Sequence, residues 1–405
     1  MQKHLLTFSL AFLLLCASSL RGQEWTRFRG PNGSGESEVS TIPTSWTDSD
    51  YNWKIELPGA GHSSPVLWGN KIFLTGAGDE GGTRMLFCID ATDGHLLWNH
   101  TFPSEAYHVH KQNSFASSSA VVDSERVYTF VVTPEHYRIY ALNHAGEEEW
   151  NVDLGPFVHE HGFGTSPILY DGMLIAGNEQ DGDSFLIALN AANGKEIWRS
   201  PRRTERAAYS TPCVYEPTGG KPELIFQCQA HGMCGIDPSN GKTNWEIDVF
   251  NQRTVSSPIV VGDLIIGSCG SGGGGNYAVA VKPGAKPEEV FRFKKQAAYV
   301  PTSVAHGNLL FMFNDAGIVS CLEVPSNKLH WQKRVGGNFS SSPVRAGEAI
   351  YCVSVEGDVV VLAAKNEYEP LARIPLGEVC RSTPAVANGR MYLRTESHLY
   401  SLGGK

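Results

Sequence analysis

The chain has no hydrophobic run long enough to span a bilayer. Its longest, Leu5 to Cys16, is about a dozen residues against the roughly 20 that a spanning helix needs. It has no long amphipathic helix, which excludes a helical bundle. It has no excess of positive charge: 33 Lys and Arg stand against 42 Asp and Glu, for a formal charge of −9. No basic field is available to hold a nucleic-acid backbone, so nucleic acid is excluded as a partner. No Cys-x-x-Cys pair, nucleophile elbow or zinc-protease motif occurs, and the common metal-finger and hydrolase chemistries go with them.

What is present begins with an export pattern. Met1 to Lys3, the apolar run, and the small residues Ala17, Ser18 and Ser19 have the three-part form of a secretory signal. Residues 1–22 are therefore read as signal peptide and cleavage region, residues 23–50 as a lead-in, and 51–405 as one folded unit in the periplasm or outside the cell. Leu15 stands before Cys16 where a lipoprotein signal carries a small residue, which argues against lipidation. Removing Cys16 leaves eight of the nine cysteines. In an oxidising compartment Cys213 and Cys228, expected on neighbouring strands, are the pair best placed for a disulfide, with buried free thiols as the other reading.

The unit repeats. Tryptophans at 53, 98, 150, 198 and 245 are separated by 45, 52, 48 and 47 residues, and Trp331 follows 86 later, about twice the interval. Before the closing Trp comes a turn such as Asp90-Ala91-Thr92-Asp93-Gly94 or Asn190-Ala191-Ala192-Asn193-Gly194, which is hairpin chemistry. After it comes a small-residue strand start: Ser63-Ser64-Pro65, Ser117-Ser118-Ser119, Thr165-Ser166-Pro167, Ser210-Thr211-Pro212, Ser256-Ser257-Pro258, Pro301-Thr302-Ser303, Ser341-Ser342-Pro343 and Ser382-Thr383-Pro384. Eight copies with four short strands each predict an all-β, eight-bladed β-propeller of four-stranded antiparallel blades. The last copy ends one strand short, while 52–57 is an orphan strand at the start, so the N-terminal strand should complete the last blade and close the ring. The small residues are expected where inner strands crowd the channel, and the Trp rings where outer strands diverge.

These turns and closures resemble the pyrroloquinoline-quinone-like (PQQ-like) propeller family, which includes quinoprotein dehydrogenases and the non-catalytic BamB-type proteins. The lead-in Trp25-Thr26-Arg27-Phe28-Arg29-Gly30-Pro31-Asn32-Gly33 is similar to that of secreted bacterial members. The resemblance implies a fold and leaves two functions open. One is an exported, non-catalytic scaffold engaging a protein or carbohydrate partner. The other is an oxidoreductase dependent on PQQ or a transition metal. The enzymes of the family carry two adjacent cysteines over the quinone, and this chain has no Cys-Cys pair.

The Asp-Gly and Asn-Gly turns occupy one face and look structural, whereas the loops of the opposite face are irregular and are expected to carry function. Candidates on that face are His62, His108, His110, Asn113, His159, His161, Asp181, Arg206, Tyr209, His231, Arg253 and Asn276. Residues two apart in an extended segment point the same way, which pairs His108 with His110 and His159 with His161 and offers His110 and His161 as metal ligands. The run Gly270 to Gly275 is read as a tight loop near the channel axis, where side chains would clash. Arg203, Arg206 and Arg253 are placed to hold a carboxylate or sugar acid.

Overall fold

The computed structural model describes residues 25–203 and 206–404. The expected signal peptide and Cys16 lie outside them. No helix among the described residues is long and apolar enough to cross a membrane. The chain forms eight sheets arranged as propeller blades. Blades 1 to 7 span 66–103, 121–153, 168–202, 213–247, 259–293, 304–334 and 344–375. Blade 8 takes its first three strands from 385–403 and its outer strand from Tyr51–Glu56. Lys54 lies opposite Tyr400 in that antiparallel pair, so the ring closes as the orphan strand predicts.

Each blade is sandwiched between two others, so its middle strands are apolar on both faces. Met173–Asn178 is buried at every position, and Ser184–Asn190 at all but the last. Fully burying each Leu, Ile or Phe of such strands contributes about 1.5–3 kcal/mol.

The Ser and Thr residues do more than save space. The backbone N–H of Ser64 donates to Ser119 Oγ (2.8 Å), Ser119 to Ser166 (3.0 Å), Ser166 to Thr211 (3.2 Å) and Thr211 to Ser257 (3.0 Å). Ser257 continues to Thr302 (2.8 Å), Thr302 to Ser342 (2.9 Å), Ser342 to Thr383 (2.9 Å), and Thr383 returns to Ser64 (3.1 Å). Eight bonds form a closed circle in which every blade grips the next. The hydroxyl is required because the inner strand's N–H has no other acceptor there.

The tryptophans likewise join blades. The indole N–H of Trp53, Trp98, Trp150, Trp198 and Trp331 donates to the carbonyls of Ala91, His144, Ala191, Pro238 and Lys365 in the following blade. Four of these rings cover a turn glycine: a Cβ at Gly94, Gly146, Gly194 or Gly241 would lie within 2.9 Å of the indole. A β-bulge sits at this outer-strand position in all eight blades and turns the ring toward its neighbour. Phe291 and Ala372 hold the position in blades 5 and 7. Trp245 bonds instead to Glu223 of its own blade (2.7 Å).

The lead-in crosses one end of the channel. Trp25 and Thr26 accept N–H groups from Leu67 and Val122 (2.8 and 2.9 Å), and Asn32 pairs doubly with Val214 (2.7 and 2.8 Å). Glu36–Ser37 adds a parallel strand to Val344–Ala346. Arg29, wholly buried, donates to the carbonyls of Gly33, Ser34, Ser303 and Pro343 (2.7–3.1 Å). Arg27 reaches Pro212. The segment therefore bridges blades 1, 2, 4, 6 and 7.

The disulfide pairing is corrected. All eight described cysteines are free and buried. Cys213 lies opposite Ile225, three residues from Cys228, so the two thiols project from opposite faces of the sheet and are too far apart to bridge. Cys228 Sγ instead accepts from Arg202, as does Cys234 (3.7 and 3.4 Å).

Candidate functional site

The inner strands enter the ring from the irregular face as extended chain, so alternate residues point into the channel. One tier is the hydroxyl circle. The residues two positions earlier form a second tier: His62, Ser117, Gly164, Tyr209, Val255, Val300, Ser340 and Arg381. All eight line a cup of about 800 Å³ that opens on the irregular face. Seven of the circle's residues line its lower part, and Phe28 of the lead-in lines it as well. The volume falls within the range of small-molecule sites.

Of the twelve sequence candidates, His62, His110, Asn113, His161, Tyr209 and Asn276 line this cup. The other six do not. His231 is fixed between Arg203 N–H (2.9 Å) and Glu246 (2.7 Å), which makes it a pin of the rim. Asp181 accepts from Ala207 N–H (2.7 Å) and holds the loop into blade 4. Arg253 is buried and reaches Glu160 across the mouth (2.9 Å), which holds that carboxyl below its usual range. Arg203 is likewise engaged, with Glu246. His108 and Arg206 are exposed on the rim.

His159 and His161 do not point the same way. Their loop is a bend, and His159 Nδ1 accepts Gly162 N–H (2.9 Å) while its ring packs on Tyr107 and Phe157. The imidazole pair that does form is between blades. His110 and His161 have ring centroids 4.9 Å apart, held by His110 N–H on the His161 carbonyl (3.2 Å). Burial and then the neighbouring His161 lower the His110 pKa. Among the described residues no group of three or more His, Cys, Asp or Glu could hold a metal ion. The cup offers two adjacent imidazoles, and the carboxylate beside them, Glu160 at 3.7 Å from His161 Nε2, is engaged by Arg253.

The glycine loop matches expectation only at its ends, Gly270 and Gly275, where a Cβ would lie 2.3 Å from Asn276 and 2.8 Å from Gln252. A Cβ at Gly272 or Gly274 would meet nothing, and one at Gly273 only Ser271 Oγ at 3.6 Å. Gly274 and Gly275 need positive φ (96° and 75°), and Gly270 would strike Asn276. Gly272 is thus bare wall facing the cup, with no crowding to account for it.

Several lining residues were not found by sequence: Phe28, Lys294, Gln296, Tyr299, Asn314, Asp315, Asn338 and Arg381. Asp315 is the one carboxylate of the lining, and it accepts the N–H groups of Tyr299 and Val300 (2.8 and 3.1 Å). Burial raises its pKa. Arg381 had a signal. It stands two before Thr383, as His62 stands two before Ser64. Burial, then Arg381 and Arg394, depress the His62 pKa to about 3, so its imidazole is neutral.

The family model described as outer membrane protein assembly factor BamB matches residues 44–156, 88–286 and 288–367. No curated protein matches the chain. Among solved structures, BamB from Moraxella catarrhalis is similar at 12% identity and TM-score 0.63, over 86% of this chain and 95% of that one. A europium-containing methanol dehydrogenase is similar at 10% identity and TM-score 0.69, over 94% and 98%. Quinohemoprotein alcohol dehydrogenase from Comamonas testosteroni is similar at 11% and 0.67, over 96% and 81%. At such identities the likeness is one of fold.

Proposed function

The chain belongs to the PQQ-like, BamB-type β-propeller family, and from that premise we propose that it is an exported, non-catalytic binding propeller whose cup receives a carbohydrate. The N-terminal signal pattern supports export. The observation that carries the reading is the chemistry of the wall. Gln112, Asn276 and Gln296 supply amides, with Asn113, Asn314 and Asn338 beside them bonded within the protein, and Tyr209 and Tyr299 supply rings that are apolar on the face and polar at the tip. Polyhydroxylated guests need that combination of hydrogen-bonding amides and flat apolar surface. The Tyr209 hydroxyl is shielded and has no partner among the described residues.

The competing reading is a dehydrogenase, in keeping with the enzymes of the same fold. The donor set weighs against their quinone-and-metal arrangement: the lining's single carboxylate already serves two backbone N–H groups, and no adjacent cysteines exist. A protein partner, as the name of the assembly factor suggests for that protein, would engage the rim more than the depth of the cup. Titration calorimetry of the purified protein against neutral and acidic oligosaccharides tests the reading. Binding weakened at least tenfold by Tyr209→Ala or Tyr299→Ala, with unchanged unfolding, is expected. Absence of binding to every oligosaccharide, or a stoichiometric quinone absorbance in protein taken from its native compartment, overturns it.

A further inference from the structure

The upper tier of the cup is chemically uneven. His62 and Arg381 are its only basic side chains, and they are neighbours, because blade 8 adjoins blade 1 at the seam where the ring closes. Below them lie Ser64 and Thr383, joined by the Thr383 N–H to Ser64 Oγ bond of 3.1 Å. Each of these hydroxyls accepts an N–H and donates to no acceptor among the described residues. Their protons are free for a guest.

The seam also holds two guanidinium groups without a counterion. Arg381 forms no hydrogen bond and no ion pair among the described residues, and its Nε is shielded from solvent. Behind His62, Arg394 is 1% exposed and spends only Nη1, on Ser63 and Thr75, while its Nε and Nη2 have no partner among the described residues. The one carboxylate of the lining, Asp315, is in blade 6 and is occupied by backbone. Lys294, exposed at the mouth, adds another cation. A protein that is acidic overall has thus placed two guanidinium groups without a carboxylate partner, and a lysine, around this cup, and burying a cation without a partner is costly. A guest's carboxylate offsets that cost, and a guanidinium binds one through two parallel hydrogen bonds.

We infer that the seam between blades 8 and 1 is the seat of a carboxylate, and that the guest of the cup is an acidic sugar of the uronate class. Its carboxylate lies on Arg381 beside His62, and its neighbouring hydroxyls meet Ser64 and Thr383. The inference rests on the carbohydrate reading and adds the charge and the orientation of the guest.

The experiment measures affinity for three ligands: oligogalacturonate, its fully methyl-esterified form and a neutral oligosaccharide of the same length. The acid is expected to bind at least tenfold tighter than the ester, and the difference should shrink as salt is raised. Arg381→Gln should bring the affinity for the acid down to that for the ester. Lys294→Gln, at the mouth, should reduce it less than threefold. An unfolding midpoint for Arg381→Gln equal to that of the parent shows that the fold is kept. If acid and ester bind equally, or if Arg381→Gln preserves the preference, the carboxylate seat is wrong and the carbohydrate reading stands. If no sugar binds and free pyrroloquinoline quinone does, both fail.

Discussion

Replacing Ser64 by Ala removes one acceptor from the circle of eight and leaves the Thr383 N–H without a partner at the closing seam. Thr383 is 3% exposed, so its N–H has little access to water in place of the lost oxygen. An unsatisfied buried donor costs about 1–3 kcal/mol. At roughly 2.1 cal/mol/K of unfolding entropy per residue, a chain of this size then loses about 1–4 °C of Tm. Ser340→Ala is the control: Ser340 lines the same cup two residues before Ser342 but lies outside the circle. It should change stability by less than about 0.5 kcal/mol. Urea unfolding followed by Trp fluorescence measures both. Equal stabilities for the two variants would refute the claim that the hydroxyl circle holds the blades together.

Three further outcomes are expected. His62, with its folded pKa depressed to about 3, binds fewer protons than the unfolded chain below pH 6.5, so stability falls as pH drops through that window. From 6.5 to 4.5 the loss attributable to His62 is about 2–3 kcal/mol, and His62→Asn should flatten that part of the pH–stability curve. Gly194→Ala places a Cβ 2.7 Å from the Trp150 ring, whereas Gly172, at the same φ of +70°, faces open space. The first variant should cost at least about 1 kcal/mol more than the second, the usual penalty of overpacking, as read from paired unfolding curves. Arg29→Met removes the donors to four carbonyls and should free the lead-in, which limited proteolysis detects as early cleavage before Tyr51 while the propeller stays intact.

The propeller was legible because its blade is written eight times, and each copy reports strand, turn and strand in the same order. Why the copies carry Ser or Thr was not legible. The reason lies one blade away: the hydroxyl of Ser166 serves the N–H of Ser119, and no local pattern connects them. The same holds for Trp150 and the Ala191 carbonyl. The histidines misled for a different reason. Reading His159 and His161 as extended chain put both on one side, but Gly162 at φ +95° bends the loop and draws His159 Nδ1 to its own backbone. Phe28 was invisible, since nothing in a repeat predicts that the preceding segment will cross its channel. Arg381 was visible in principle, in the column two before the circle.

That column and the circle divide the labour of each inner strand. A circle residue must present a hydroxyl to the next blade, so its chemistry is fixed by the fold. The side chain two before it points into the cup and makes no bond to the neighbouring blade, which is why the eight include His, Ser, Gly, Tyr, Val and Arg. The division predicts opposite outcomes for one substitution made two residues apart. Ser340→Arg puts a guanidinium beside Arg381 on a half-buried wall and should leave stability within about 0.5 kcal/mol while raising affinity for an acidic guest. Ser342→Arg removes the acceptor of the Thr302 N–H and forces a long cation into a site 3% exposed. It should cost more than about 3 kcal/mol, the penalty of an unpaired buried charge added to a lost bond. Thermal unfolding of the two variants, side by side, decides the matter: comparable destabilisation would mean that cup and circle are one structural layer, and the column would then carry no separate information about the guest.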